Sequence, residues 1–147
     1  MVVGIIGESC TGKSTLAKKL QQILKAELYT GKDYLRLAKS EAAATELFRQ
    51  RLDAASHDSN IIYVISEKEH LSLLPANAIR VLITADLDTI KERFANRMHG
   101  KLPAPVSAML EQKHGCFDSE KCDVHMLSGR DDPDRICSII QQMTHTE

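Results

Sequence analysis

The segment from Gly7 to Ser14 constrains the fold of this chain most strongly, because its letters G-E-S-C-T-G-K-S fit the pattern G-x-x-x-x-G-K-[ST] at every required position. An apolar, β-branched run precedes it at residues 2–6, and apolar residues recur at helical spacing from Leu16 to Leu24. A buried parallel strand, a loop and a helix are therefore predicted in this order. Such a loop surrounds an anion with backbone N–H groups, and the helix adds its positive end. The sequence predicts that the chain binds a nucleoside triphosphate.

Each position of the pattern has its own chemical task. Gly7 and Gly12 allow backbone angles and close approaches that a Cβ atom would block. Lys13 supplies a mobile positive charge for the β- and γ-phosphates of ATP, and the Ser14 hydroxyl is a candidate ligand for Mg²⁺. An ordinary glycine-containing turn is the alternative, but it does not explain the strand and helix patterns on both sides. The remaining positions are expected to bind the nucleotide mainly through their backbones: Glu8, Ser9, Cys10, Thr11 and Thr15.

Strand-like and helix-like segments alternate along the rest of the chain. Helices are predicted at about residues 41–55, with a loop at 56–60, and at about 86–98, 106–114 and after Pro133. This alternation predicts the α/β class, as a three-layer α/β/α sandwich with a mostly five-stranded parallel sheet and a P-loop NTPase fold, in one domain over the whole chain (1–147). The four further strands are predicted at residues 26–30, 61–65, 79–83 and 122–127.

Composition and charge exclude several other classes of protein. The formal net charge is −1, and there are three Phe, three Tyr and no Trp, so no nucleic-acid partner is expected. No apolar run approaches the length of a transmembrane helix and no signal-peptide pattern is found, so we expect a cytoplasmic protein without a membrane partner. The four cysteines lack metal-ligand spacing and are expected to be reduced thiols. A monomer or a homodimer is expected.

Two further segments resemble the nucleoside monophosphate kinases, adenylate kinase above all. Residues 30–36 read T-G-K-D-Y-L-R, which is similar to the T-G-D-x-L-R segment of that family with one extra residue. Residues 92–97 read E-R-F-A-N-R and are similar to the segment at the start of the family's lid. The resemblance implies that Thr30 and Gly31 approach the phosphoryl acceptor, and that Arg36 holds the acceptor's phosphate.

The same resemblance implies residues for the ATP side of the site. Arg93 and Arg97 lie one helical turn apart, like two arginines of that family, and are implied to contact the donor and to neutralise charge in the transition state. Gly129 belongs to the segment at residues 128–133, which is similar in position to the loop around the adenine ring. The implied acceptor-binding region covers about residues 31–58, and the implied lid is minimal and covers about residues 98–105.

The resemblance implies ATP- and Mg²⁺-dependent transfer of the γ-phosphoryl group to a small molecule, most directly a nucleoside monophosphate. Two departures keep alternatives open. The family's D-G-F-P-R segment is absent, since residues 66–70 read S-E-K-E-H, and no arginine occurs from Met98 to Gly129. One alternative is a kinase for a metabolite of the shikimate or gluconate type, in which Asp33 binds the acceptor hydroxyl and acts as base. The other is a catalytically weak ATP-binding regulatory module.

Several of these residues also have ordinary structural explanations. Asp33 is well placed as the N-cap of a helix. Arg36, Arg93 and Arg97 are also typical of solvated helix faces. Glu67 follows a predicted strand at a place where acidic residues often meet the hydration shell of Mg²⁺, although an exposed glutamate at a helix start fits equally well.

Overall fold

A computed structural model describes residues 1–145 of the chain. Within these residues, the five strands are Val2–Ile6 (β1), Glu27–Thr30 (β2), Ile61–Ile65 (β3), Ile79–Thr84 (β4) and Val124–Leu127 (β5). The α-helices are Lys13–Leu24 (α1), Glu41–Asp58 (α2), Leu87–Arg97 (α3), Ala104–Lys113 (α4) and Pro133–His145 (α5), and two 3₁₀ helices cover Asp33–Leu37 and Lys68–Leu73.

The strands form one parallel sheet in the order β2-β3-β1-β4-β5. Strand β1 lies at its centre, where Val3 pairs with Ile62 of β3 on one side and with Ile79 of β4 on the other. The continuous apolar letters of β1 and β3 suit a sheet that is covered on both faces. Because all strands run in one direction, their carboxyl ends meet at one edge, where ligands bind in such folds.

Helices cover both faces of the sheet and create two cores. On one face, Phe48 and Leu52 of α2 pack against Tyr63 of β3. On the other face, Leu20 of α1 and Ile140 of α5 belong to a second buried cluster. The prediction of a three-layer α/β/α sandwich with a five-stranded parallel sheet is confirmed.

Two local predictions are wrong. Helix α2 continues to Asp58 through the predicted loop, because the Ser56 hydroxyl donates to the Leu52 carbonyl at 3.0 Å and so remains compatible with a helix. Asp33 is not an N-cap: Lys32 precedes the 3₁₀ helix, and the Asp33 carboxylate instead accepts from the backbone N–H of Thr30 at 3.0 Å. A short polar side chain thus closes the turn after β2 rather than starting a long helix.

The predicted lid corresponds to the connection between α3 and α4, residues 98–103, with Ala104 and Pro105 already in the first turn of α4. His99 and Gly100 have positive φ angles of 62° and 89°, and the Gly100 N–H donates to the Ala95 carbonyl at 2.8 Å. This arrangement ends α3 sharply and turns the chain back. Among residues 1–145, no helix combines the length and apolarity needed to cross a bilayer.

We predict that Phe48→Ala lowers the free energy of unfolding by about 3–5 kcal/mol. The Phe48 ring is fully buried, stacks on Tyr34 with centroids 5.1 Å apart and meets the edge of Tyr63 at 4.9 Å, so truncation leaves a cavity among aromatic rings. Urea unfolding followed by circular dichroism measures the loss. The neighbouring Leu47 is 42% exposed, and Leu47→Ala should cost less than about 1 kcal/mol. Equal losses in the two variants would contradict this account of the core.

Candidate functional site: a nucleotide-binding edge of the sheet

The predicted phosphate-binding loop lies at the carboxyl end of β1. The Gly7 N–H donates to the Ile65 carbonyl of β3 at 3.1 Å, while a Cβ atom on Gly7 would lie 2.5 Å from the Ile83 carbonyl oxygen of β4. Backbone oxygen cannot move aside as a flexible side chain can. Glycine is therefore required where the chain leaves the central strand, between its two neighbours.

Left-handed residues give the loop its curvature. Cys10 and Gly12 have φ angles of 63° and 94°, and alternation of this kind turns successive N–H groups toward one concave side. The buried Thr11 hydroxyl donates to the Glu8 carbonyl at 2.8 Å and braces the loop from within. Helix α1 begins at Lys13, so its positive end faces the same concavity.

The Lys13 side chain is folded into this loop. It is only 7% exposed, and its ammonium donates to the Glu8 carbonyl. Burial lowers the pKa of Lys13 to about 8; nearby Arg97 also lowers it, while Cys10 and Glu8 oppose the change. A buried ammonium with one backbone acceptor is poised to gain from an anionic ligand, because a polyphosphate would compensate its lost hydration.

A cavity of about 540 Å³ adjoins the loop and brings the predicted donor-side residues together. Its volume is in the range of small-molecule sites. The Arg93 guanidinium is fixed there, since Nη1 donates to the Cys10 carbonyl at 3.0 Å and to the Ser128 hydroxyl at 2.9 Å. The residues that line the cavity are Cys10, Gly12, Thr15, Arg93, Arg97, Met126, Ser128, Gly129, Asp131 and Pro133.

The turn after β5, residues 128–133, forms the far wall of this cavity, and it is the segment that the resemblance implies around the adenine ring. The Asp131 carboxylate accepts from the Leu127 N–H at 2.7 Å, and Gly129 has a φ angle of 83°, so the turn is tight. The sequence did not reveal the bond between the Ser128 hydroxyl and Arg93. The available sequence signal was the polar cluster S-G-R-D-D-P directly after a strand.

The predicted acceptor residues lie at the same edge of the sheet, beyond β3. Gly31 has a φ angle of 55°, its N–H donates to the Val64 carbonyl at 2.9 Å, and its carbonyl accepts from the Tyr63 hydroxyl at 2.7 Å. Burial raises the pKa of Tyr63 far above its usual range, which keeps this hydroxyl a donor. These bonds and the one from the Thr30 N–H to the Asp33 carboxylate make the turn rigid. Thr30 and Asp33 are exposed to solvent.

The exposed Arg36 side chain lies over the ring of Tyr29, with the guanidinium carbon 4.8 Å from the ring centroid. A guanidinium stacked in this way keeps its edge N–H groups available. The structure thus places Arg36 beside the Thr30–Gly31 turn, and its role as a phosphate ligand stays a prediction.

Helix α4 packs onto the phosphate loop, a contact that the sequence did not reveal. Its Leu110 belongs to a buried apolar cluster with Cys10 of the loop and Ile90 of α3. The Glu8 side chain turns away from the concavity and accepts from His114 Nδ1 and from the Gly115 N–H, both at 3.2 Å. Glu8 therefore attaches the loop to the end of α4, in addition to its predicted backbone role.

The residues present fit a magnesium ion that is bound together with the nucleotide. The Ser14 hydroxyl is exposed in the first turn of α1, next to Lys13. In the described part of the chain, no group of three or more His, Cys, Asp or Glu could hold a metal ion by itself. One hydroxyl combined with phosphate oxygens and waters is a usual environment for Mg²⁺.

Comparisons with known proteins identify the fold. No family model matches the sequence, and no curated protein matches it. An uncharacterized protein from Eubacterium ventriosum has a similar crystal structure, with a TM-score of 0.67, 18% identity, and coverage of 100% of this chain and 99% of that chain. The YorR protein from Bacillus subtilis, solved in complex with phosphorylated GDP, has a TM-score of 0.63 and 23% identity, with coverage of 99% of this chain and 96% of that chain. Shikimate kinase from Bacteroides thetaiotaomicron has a TM-score of 0.63 and 14% identity, with coverage of 99% of this chain and 98% of that chain.

The chain therefore has the P-loop kinase fold over its described length. At these identities the similarity concerns the fold alone, and the narrower resemblance to nucleoside monophosphate kinases stays a prediction.

We predict that MgATP binding takes up protons at alkaline pH. At pH 8.5 a lysine with a pKa of about 8 is mostly neutral in the free protein, and the bound triphosphate favours its charged form, so roughly three-quarters of a proton should enter per ATP bound. At pH 7 Lys13 is already charged and uptake from it should be small. The affinity for ATP should therefore be highest below pH 8, where Lys13 is charged, and should decrease above pH 8. Calorimetry in buffers of different ionisation enthalpy measures the uptake, and equal values at both pH values would contradict the role of Lys13.

The two bonds of Arg93 generate a second prediction. Arg93→Met should raise the dissociation constant of ADP about tenfold or more, because it removes a guanidinium that supports both the loop and the cavity wall. Arg49 is exposed on α2, and Arg49→Met is the matched control that should leave ADP affinity unchanged. Calorimetric titration with ADP measures both variants, and similar affinities would remove Arg93 from the nucleotide site.

Proposed function

We propose that the protein is an ATP-dependent small-molecule kinase that transfers the γ-phosphoryl group, most directly to a nucleoside monophosphate. The observation that carries this proposal is the position of Lys13. Its buried ammonium lies in a phosphate-type loop between a cavity that contains Arg93 and Arg97 and the acceptor-like turn at Thr30–Gly31. A donor region and an acceptor region on either side of one cation suit direct transfer between two bound molecules.

The proposed mechanism depends on positioning and on positive charge. The acceptor oxygen forms a bond to the γ-phosphorus, the bond from that phosphorus to the β–γ bridging oxygen breaks, and its electron pair leaves with ADP. The loop N–H groups and Lys13 hold the β- and γ-oxygens. Arg93 orients the donor from the cavity wall, and Arg97 adds charge toward the developing transition state. Ser14 would hold Mg²⁺, which would neutralise phosphate charge.

The acceptor side supports two classes of substrate. In the favoured class, Thr30 and Gly31 contact a nucleoside monophosphate and Arg36 holds its phosphate. In the second class, the Asp33 carboxylate receives the proton of a metabolite hydroxyl. Both substrate classes are compatible with the turn in which the Asp33 carboxylate accepts from the Thr30 N–H, because one side of this carboxylate stays exposed to solvent. The complex of the Bacillus subtilis protein with phosphorylated GDP supports a nucleotide, and the similarity to a shikimate kinase supports a metabolite.

A coupled assay of ADP formation tests the proposal. With a panel of nucleoside monophosphates, shikimate and gluconate, we expect one acceptor class to raise ADP formation well above the rate with ATP alone. Lys13→Met should reduce that turnover by about 10³-fold or more and leave the unfolding transition cooperative. ATP binding without any acceptor-dependent turnover would overturn the kinase proposal in favour of a regulatory ATP-binding module.

A further inference from the structure

The end of helix α4 is held against the phosphate loop by a charged clamp. The Glu8 side chain is only 10% exposed, and its two carboxylate oxygens accept from His114 Nδ1 and the Gly115 N–H. A nearly buried carboxylate with two donors fixes the segments that it joins, because breaking either bond leaves charge without a partner. The last turn of α4 therefore cannot move independently of the loop.

The same helix is anchored a second time by apolar contacts. Leu110 is buried in the cluster that contains Cys10 of the loop and Ile90 of α3. Both attachments lie within one turn of Lys113, which is the last residue of α4. Lys113 is consequently carried on a rigid support beside the phosphate loop.

The Lys113 ammonium lies toward the acceptor side of this loop. It lines a small cavity with Ser9 of the loop and with Ser66 and Glu67, which follow β3. Its Nζ is 3.5 Å from Glu67 Oε1, and the side chain is 53% exposed, so solutes can reach it. Strand β3 lies between β1 and β2, whose ends carry the phosphate loop and the Thr30–Gly31 turn.

Phosphoryl transfer to an anionic acceptor is favoured by positive charge next to the transferred group. Arg93 and Arg97 line the donor cavity on the other side of the loop, and no arginine occurs between Met98 and Gly129. Two anions brought together without compensation repel each other strongly at the short distance of a phosphoryl transfer. The Arg36 guanidinium lies over the ring of Tyr29.

We propose that Lys113 binds the anionic group of the acceptor, a phosphate or a carboxylate, next to the transferred phosphoryl group. Glu67 holds the ammonium until the acceptor anion replaces it, and Glu8 with His114 positions it. The identification of this anion as part of the phosphoryl acceptor rests on the proposed function. The binding of an anion by Lys113 can be measured without turnover.

The first experiment uses inorganic phosphate as the probe and the MgADP complex of the full chain as the receptor. Calorimetry should show phosphate binding that weakens about tenfold or more in Lys113→Met and is partly restored in Lys113→Arg. Lys121→Met is the matched control, because Lys121 precedes β5 and so lies at the amino end of the strands, opposite the edge that carries the phosphate loop. The phosphate affinity of this variant should equal that of the unchanged protein. ADP affinity should stay within about twofold in all variants.

The second experiment separates this inference from the kinase proposal. In the coupled assay, Lys113→Met should raise the KM of the acceptor and lower kcat/KM by about tenfold to a hundredfold, with the KM of ATP unchanged. Equal phosphate affinity in Lys113→Met and the unchanged protein overturns the role of Lys113, whether or not the protein is a kinase. Loss of phosphate binding without any acceptor turnover supports Lys113 and overturns the kinase proposal.

A double-mutant cycle tests the clamp. His114→Ala should weaken phosphate binding about threefold to tenfold in the unchanged background and cause no further loss in Lys113→Met, because its bond to Glu8 holds the end of α4, which carries Lys113, against the loop. An equal loss in both backgrounds would overturn its assignment as a positioning residue.

Discussion

The contact between the buried Lys13 ammonium and the Glu8 carbonyl is the interaction on which the site depends. Burial of an ammonium costs free energy unless it is hydrogen-bonded, and here the loop supplies an acceptor from its own backbone. The Thr11 hydroxyl donates to the same carbonyl at 2.8 Å. The loop is thus preorganised, and a polyphosphate can replace an existing contact instead of ordering a flexible chain.

The position of this loop follows from the central place of β1. Gly7 leaves the sheet between β3 and β4, where its N–H bonds to Ile65 and a Cβ atom would strike the Ile83 carbonyl. The residues directly after β4 and β5 lie on one side of it, and those directly after β3 and β2 lie on the other. The sheet therefore separates the cavity at Arg93 from the Thr30–Gly31 turn, with the phosphate loop between them.

Features that depend on residues close together in the chain could be predicted from the sequence, whereas contacts between distant parts of the chain could not. The loop from Gly7 to Ser14 and the alternating elements follow from short-range spacing, so both were predictable. The Glu8 clamp joins residues separated by 106 positions in the chain, and no pattern near Glu8 announces His114 as its partner. Asp33 is a local failure of another kind, because an aspartate before a helix can cap the helix or close the preceding turn, and the two uses have similar sequence signals.

Helices α3 and α4 link the two sides of the site without a long lid. Helix α3 carries Arg93 to the cavity of about 540 Å³, α4 carries Lys113 toward the end of β3, and Leu110 packs with Ile90 between them. Both helices are attached to the loop, α3 through the bond from Arg93 to the Cys10 carbonyl and α4 through Glu8. The loop, α3 and α4 therefore form one connected unit. Arg93 and Lys113 are thus both carried by helices that are fixed to the phosphate loop, and residues 98–103 only connect these helices.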